Sequence, residues 1–148
     1  MAKSDVAVVQ RWFEEVWNNG REDLMETLLT DDLAAHGIAS GTDVMSGVEE
    51  FRPFYRQFRS TFPDVVFTIE EAVSDRDIVA TRWIARMTHL GDALGPPATG
   101  HALTVTGMTF WRIRDGKIAE AWNNWDMMGM MNQMGQATTA AVVERDPT

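Results

Sequence analysis

The 148-residue chain contains no cysteine. That removes disulfide staples, thiol nucleophiles and zinc–thiolate centres together, and it fits a reducing compartment. Basic residues are scarce: 13 Lys and Arg stand against 22 Asp and Glu, a formal net charge of −9. A surface of that sign repels phosphates and anionic headgroups, so neither nucleic acid nor a membrane surface is expected as a partner. No apolar run approaches the ~20 residues of a membrane-spanning helix. The first residues follow a helical pattern rather than a basic patch and apolar segment, so no signal peptide is expected and the location reads as cytoplasmic. Histidine occurs only at His36, His89 and His101, without ligand spacing, so no metal site is expected.

Large apolar side chains are plentiful: six Trp, seven Phe and ten Met. They can fill an irregular core, or they can line a pocket for a flat apolar ligand. The length and a hydrophobic content of 45% suit one domain with its own core. That domain is expected over residues 1–136, with a small polar tail at 137–148.

Helical periodicity comes first. Val6, Val9, Phe13, Val16 and Trp17 make one apolar stripe behind caps at Ser4 and Asp5, ending near Asn18 before Gly20. A short helix is expected over 22–29. Residues 33–38 read as a short irregular or extended piece, and the glycines of 37–47 as a loop. Ser46 with Glu49 has capping-box spacing for a third helix to about Phe62, and Pro53 predicts a kink or a later start. Strands follow over 65–74, 78–90, 102–114 and 117–125, the last two joined by an Asp115-Gly116 hairpin turn. The sum is an α+β fold: a curved antiparallel sheet wrapped by about three N-terminal helices, forming a conical cavity in an α+β barrel.

The last strand ends in Trp122-Asn123-Asn124-Trp125-Asp126, followed by Met127-Met128-Gly129-Met130-Met131. Strand alternation puts Trp122, Asn124 and Asp126 on one face, which reads as a site lining. In a dry pocket bordered by Trp122, Met127 and Met130, a carboxyl is tuned towards proton transfer near neutral pH. The alternative is that Asp126 caps the methionine-rich helix. Asn124 could orient that carboxyl or polarise a substrate oxygen. His36, just before the glycine loop, could bond a substrate carbonyl or share the acid–base work, and His101 opens a strand at the cavity rim or outside it. Tyr55, the single tyrosine, is a pocket donor or a core residue. Trp122, Phe51, Phe58, Met108 and Phe110 are candidate walls, with plain packing the alternative for each.

The ordered set Val16-Trp17-Asn18-Asn19-Gly20, Asp32 with His36, Phe62-Pro63-Asp64, Thr88-His89-Leu90-Gly91, Thr99-Gly100, Asp115-Gly116-Lys117-Ile118 and Trp122 to Asp126, closed by Gln133-Met134-Gly135, resembles the SnoaL-like polyketide cyclases. These belong to the nuclear-transport-factor-2-like superfamily. The resemblance implies a cofactor-independent, aldol-type ring cyclase acting on aromatic polyketide esters, with the shared catalytic aspartate at Asp126 and His36 at the position of a family histidine. It also implies a homodimer, because the fold often pairs through its sheet. Epoxide-opening relatives carry Arg and Asp two apart on a strand, whereas here Arg82 precedes Ile84, Arg86 precedes Thr88 and Arg112 precedes Arg114. Ketosteroid isomerase chemistry wants a helix tyrosine, and the first helix has Trp12 and Phe13 instead. The expected function is therefore a cyclase or isomerase acting on a small apolar or aromatic carbonyl substrate. The alternatives are a non-catalytic binding module or one of those relatives.

Overall fold

The computed structural model describes residues 2–39 and 43–135. The expected tail at 137–148 lies outside the described residues. Helix α1 spans Ala2–Arg11 and passes without interruption into a π-helical stretch, Trp12–Asn18. The helix starts before the expected caps, so Asp5 lies in its first turn. Within the π-helical stretch the wider winding turns Trp12, Phe13, Val16 and Trp17 all inward. A 3₁₀ turn, Glu22–Leu24, leads into the one-turn helix α2, Met25–Leu28.

Two strands then appear: β1, Leu29–His36, which covers part of the expected irregular or extended piece and begins before it, and β2, Val44–Ser46, where a loop was expected. The cause is local. Thr30-Asp31-Asp32 interrupts the alternation, and the pairing register of β1 shifts between Leu29 and Ala34. Helix α3, Gly47–Thr61, buries Phe51, Tyr55, Phe58 and Thr61 and keeps Pro53 on its exposed side. Its capping partner is Glu50, one residue beyond the expected Glu49; the Ser46 N–H donates to Glu50 Oε1 at 2.7 Å. Arg52 ties α3 to the second helical region through Glu22 at 3.0 Å and Glu26 at 2.7 Å.

Strands β3 (Val66–Asp75), β4 (Ile78–Thr88), β5 (Ala102–Arg114) and β6 (Lys117–Trp125) form the expected meander, and α4, Met127–Gln133, follows. The sheet order is β2-β1-β6-β5-β4-β3. Because β1 runs parallel to β6, the sheet is mixed rather than antiparallel, and β2 and β3 remain separate edges. The described strands therefore make a curved six-stranded sheet that is not closed into a barrel.

Several of the quoted motif pieces have structural jobs. The Asn18 side chain acts as a strand surrogate on edge strand β3: it donates to the Phe67 carbonyl at 2.9 Å and accepts from the Phe67 N–H at 2.7 Å. Asp64, just past α3, accepts from the Thr88 N–H at 2.8 Å and the Thr88 hydroxyl at 2.6 Å. His89 is fully buried beside Phe62, with Nδ1 3.1 Å from Thr99 Oγ1. The core fills the space between these helices and one face of the sheet. Trp17 sits at its centre, 4.8 Å from the Tyr55 ring, 5.3 Å from Phe67 and 5.5 Å from Phe58.

Candidate functional site

Alternation along β5 is complete: Leu103, Val105, Gly107, Thr109, Trp111 and Ile113 are buried, and every residue between them is exposed. An unbroken two-residue hairpin would carry this parity into β6, setting Trp122 opposite Thr109 and Asn124 opposite Gly107. A β-bulge intervenes. Ile118 and Ala119 are both buried, the register shifts between Arg112 and Ile113, and Thr109 faces Asn123 while Gly107 faces Trp125. A one-residue slip moves every later side chain to the other face. The inner face of β6 therefore presents Ala121, Asn123 and Trp125.

A cavity of about 80 Å³ lies between this face and the helices. Trp12, Phe13 and Trp17 of the first helix and Phe51, Phe54 and Phe58 of α3 form one wall. Trp83, Trp111 and Trp125 belong to the sheet side, so five of the six tryptophans line it. Gly107 makes room: a Cβ there would overlap the Trp83 ring. Among the described residues no ionisable side chain is in the lining, and only Thr109 and Asn123 are polar apart from the indoles.

Those polar groups are connected. The Trp83 indole N–H donates to Thr109 Oγ1 at 3.0 Å, and that hydroxyl donates to Asn123 Oδ1 at 2.8 Å. Asn123 Nδ2 donates to the His36 carbonyl at 2.9 Å. Trp125 Nε1 reaches the carbonyls of Gly37 at 3.2 Å and Ile38 at 3.0 Å. Behind the wall, Trp111 Nε1 donates to Thr81 Oγ1 at 2.9 Å, and Thr81 Oγ1 to the Thr109 carbonyl at 3.2 Å.

Of the residues singled out from the sequence, Phe51 and Phe58 line the cavity. Tyr55 is buried beside it, packed on Trp17, with its hydroxyl donating to the Val16 carbonyl at 2.6 Å. Burial pushes its phenol pKa up. Met130 is buried and Met127 half-buried on α4, in the core but outside the lining. Met108 and Phe110 are exposed on the outer face, 59% and 54% respectively. Trp122 stands there too, with the His36 ring stacked on it at 5.5 Å and 4°. His36 Nε2 lies 2.7 Å from Glu120 Oε2, and the Arg112 guanidinium sits 5.5 Å from the Trp122 ring centre. Asn124, opposite Met108, is exposed. His101 is exposed just before β5, its Nδ1 3.4 Å from the Gln133 carbonyl.

Asp126 is exposed at the junction of β6 and α4 and caps that helix. Its Oδ1 accepts from the Gly129 N–H at 2.8 Å, and its carbonyl from the Met130 N–H at 3.0 Å. The apolar border expected from Trp122, Met127 and Met130 does not form around it, because the bulge turns Trp122 outward. Asn123, which the sequence reading passed over, is the polar residue at the cavity. The residue pattern that marks it is the burial of Ile118 and Ala119 in succession, where a strand should alternate.

A curved sheet packed on one side by helices around an apolar cavity is the nuclear-transport-factor-2-like cone. Residues 7–134 match the SnoaL-like polyketide cyclase family, and the chain belongs to that family. Among solved structures, IdmH from Streptomyces antibioticus is 29% identical, with a TM-score of 0.74, covering 88% of this chain and 98% of that one. TsrD from Streptomyces laurentii is 25% identical, with a TM-score of 0.78 and coverage of 90% and 96%. A SnoaL-like polyketide cyclase from Agrobacterium tumefaciens shares the fold at 20% identity, with a TM-score of 0.71 over 88% and 98%. No curated protein matches the chain. Among the described residues, no helix is long and apolar enough to cross a membrane.

Proposed function

We propose that the protein binds a flat, mostly apolar carbonyl compound in the aromatic cavity and promotes its intramolecular aldol-type closure without a cofactor. The observation that carries the binding half is the lining: aromatic and aliphatic apart from Thr109 and Asn123, with no ionisable side chain among the described residues. Family membership supports the reaction class. A closure of this kind removes a proton from an activated carbon and delivers one to the new alkoxide, and one carboxyl can serve both steps, contributing about 10²–10⁴-fold. Asp126 is the proposed carboxyl. It directly follows the cavity-lining Trp125, so the reacting carbon would lie at the end of the cavity where β6 meets α4. His36 and Asn124 point to the outer face, away from a compound held inside.

Size adds a condition. The cavity, about 80 Å³, is smaller than the ~150 Å³ apolar cavity that takes benzene. Even a single-ring compound therefore enters only with some displacement of the wall, and a fused-ring one with more; Phe54, Phe67 and Trp125 are the lining aromatics that are only partly buried.

A binding module without turnover is the second reading. The bond from Gly129 to the Asp126 carboxylate and the exposure of that residue favour it. One experiment separates the two: incubation with an aromatic polyketide ester, following both tryptophan fluorescence and ring closure. Asp126→Asn keeps a capping side chain. If closure falls at least a hundredfold in that variant while binding persists, Asp126 acts in the chemistry. Saturable binding with no closure by the unaltered protein makes the chain a binding module.

The outer sheet face, with Met108, Phe110 and Trp122 side by side, supports a homodimer as a further proposal. Light scattering on Phe110→Glu checks it, with a monomer expected; an unchanged mass, or a monomeric unaltered protein, refutes pairing through this face.

A further inference from the structure

We infer that Asn123 is the polar anchor of the cavity and that it selects ligands presenting one neutral carbonyl oxygen. This rests on the cavity-binding reading above and names the group that a bound compound must carry.

The orientation of the amide follows from what its neighbours can do. An indole N–H only donates, so at the 3.0 Å contact Thr109 Oγ1 must accept from Trp83. The hydroxyl hydrogen is then available for the 2.8 Å contact with Asn123 Oδ1. At the other end, a backbone carbonyl only accepts, so the group 2.9 Å from the His36 oxygen must be the amide nitrogen. The acceptor-only carbonyl fixes the nitrogen on its side and leaves Oδ1 facing Thr109, whose hydroxyl hydrogen must then be the donor, so the carboxamide has a single orientation. Thr109 is itself pinned through its main chain, by Thr81 at 3.2 Å. Four strands, β4, β5, β6 and β1, thus converge on one side chain.

A carboxamide carries two N–H groups and two lone pairs on its oxygen. Thr109 takes one lone pair and His36 one N–H, and among the described residues the second N–H has no acceptor. Asn123 is only partly buried and lines the cavity. A ligand carbonyl supplies the missing acceptor. An ionised ligand would surrender its hydration to a wall that offers no counter-charge, so carboxylates and ammonium groups are rejected. A ligand hydroxyl could instead address the remaining lone pair, and the experiment includes that case.

The test is fluorescence titration of the full chain, read through the tryptophans of the wall, with four single-ring probes. Acetophenone carries the carbonyl; α-methylstyrene replaces the oxygen by a methylene group; 1-phenylethanol offers a hydroxyl; benzoate is charged. Acetophenone is expected to bind about 3- to 10-fold more tightly than α-methylstyrene, with 1-phenylethanol weaker than the ketone and benzoate weakest. Asn123→Leu should bring ketone and alkene to parity. Thr109→Val retains Asn123 but releases its orientation and should lower the ratio, which a merely structural role for Thr109 would not do. Should the Asn123 variant fail to fold, the Thr109 variant carries the test, and an unchanged ratio there overturns the orienting relay. Saturable but equal binding of ketone and alkene overturns the Asn123 anchor while leaving the cavity reading standing. Tighter binding of the alcohol overturns the carbonyl assignment. No saturable change with any probe overturns the cavity reading and this inference together.

Discussion

The two faces of the β5–β6 ribbon are built from similar residues and used differently. Inside, Thr109, Trp111, Asn123 and Trp125 surround an apolar space, and each bonds through a polar side-chain atom to a neighbouring side chain or to the backbone. Outside, Met108, Phe110, Trp122 and Asn124 stand next to Arg112 and Glu120, open to water or to a partner. Each face has its aromatics, an asparagine and a methionine or threonine. Composition does not distinguish them. What does is the bulge at Ile118–Ala119, which decides which set turns inward.

That comparison can be broken most severely just past the bulge. Inserting one alanine between Glu120 and Ala121 would slip every later pair by one, setting Trp122 opposite Thr109 and driving Trp122 and Asn124 inward and Asn123 and Trp125 outward. Loss of cooperative thermal unfolding is expected; an insertion variant that melts like the parent would show that the register set at the bulge does not assign the faces.

A paired truncation is the next largest effect. Trp111→Ala on the inner side should cost about 3–5 kcal/mol. Phe110→Ala, its neighbour on the outer side, should cost well under ~1 kcal/mol in the monomer, as surface changes do. Denaturant midpoints measure both, and equal losses would erase the distinction between the faces.

Asp126 offers a smaller test, at the ribbon's end. Asp126→Ala removes the cap of α4 and should lower stability by about 1 kcal/mol, whereas Asp126→Asn should lower it little. If alanine and asparagine cost the same, the carboxylate is not held by its capping bond.

The smallest effect concerns the tie between α3 and the sheet. Burial pushes the Asp64 carboxyl up, but the two hydrogen bonds from Thr88 and one from its own backbone together outweigh this and leave it below the usual carboxylate range. A carboxyl lowered in the folded state contributes stability above its unfolded pKa, about 4, and loses it as pH falls through the folded value. Asp64→Asn should therefore cost about 0.5–1.5 kcal/mol at pH 7 and progressively less below pH ~4. A pH-independent difference between variant and parent would rule out ionisation as the source.

Much of this architecture was legible in the chain. The stripe of Val9, Phe13, Val16 and Trp17, the Phe-rich face of α3 and the Asp115-Gly116 turn follow local periodicity and turn chemistry, which a sequence carries openly. Strand β1 showed only in part, as the irregular or extended piece at 33–38, and β2 not at all, because Thr30-Asp31-Asp32 interrupts the alternation of a strand that forms only when β1 finds β6. The candidate site was half legible. The last strand, singled out from the sequence, contributes Ala121, Asn123 and Trp125 to the cavity, and capping by Asp126 was one of its two readings. Its inner face was misassigned, since alternation gives two sets of residues and cannot say which one faces in. That choice belongs to long-range pairing across a bulge.

His36 belongs to both sides of this boundary. Its ring stacks outward on Trp122, and its carbonyl holds the Asn123 amide on the inside. Every amino acid has such a carbonyl, so the cavity makes no demand on which side chain occupies position 36. Substitutions there answer only to the exterior, and a ligand-binding assay should be indifferent to them. Its neighbour has no such latitude: Gly37 sits at φ +75° with the Asn123 carbonyl oxygen where a Cβ would go. Of two adjacent positions, the one with the chemically versatile side chain is the interchangeable one, and the one with none is irreplaceable.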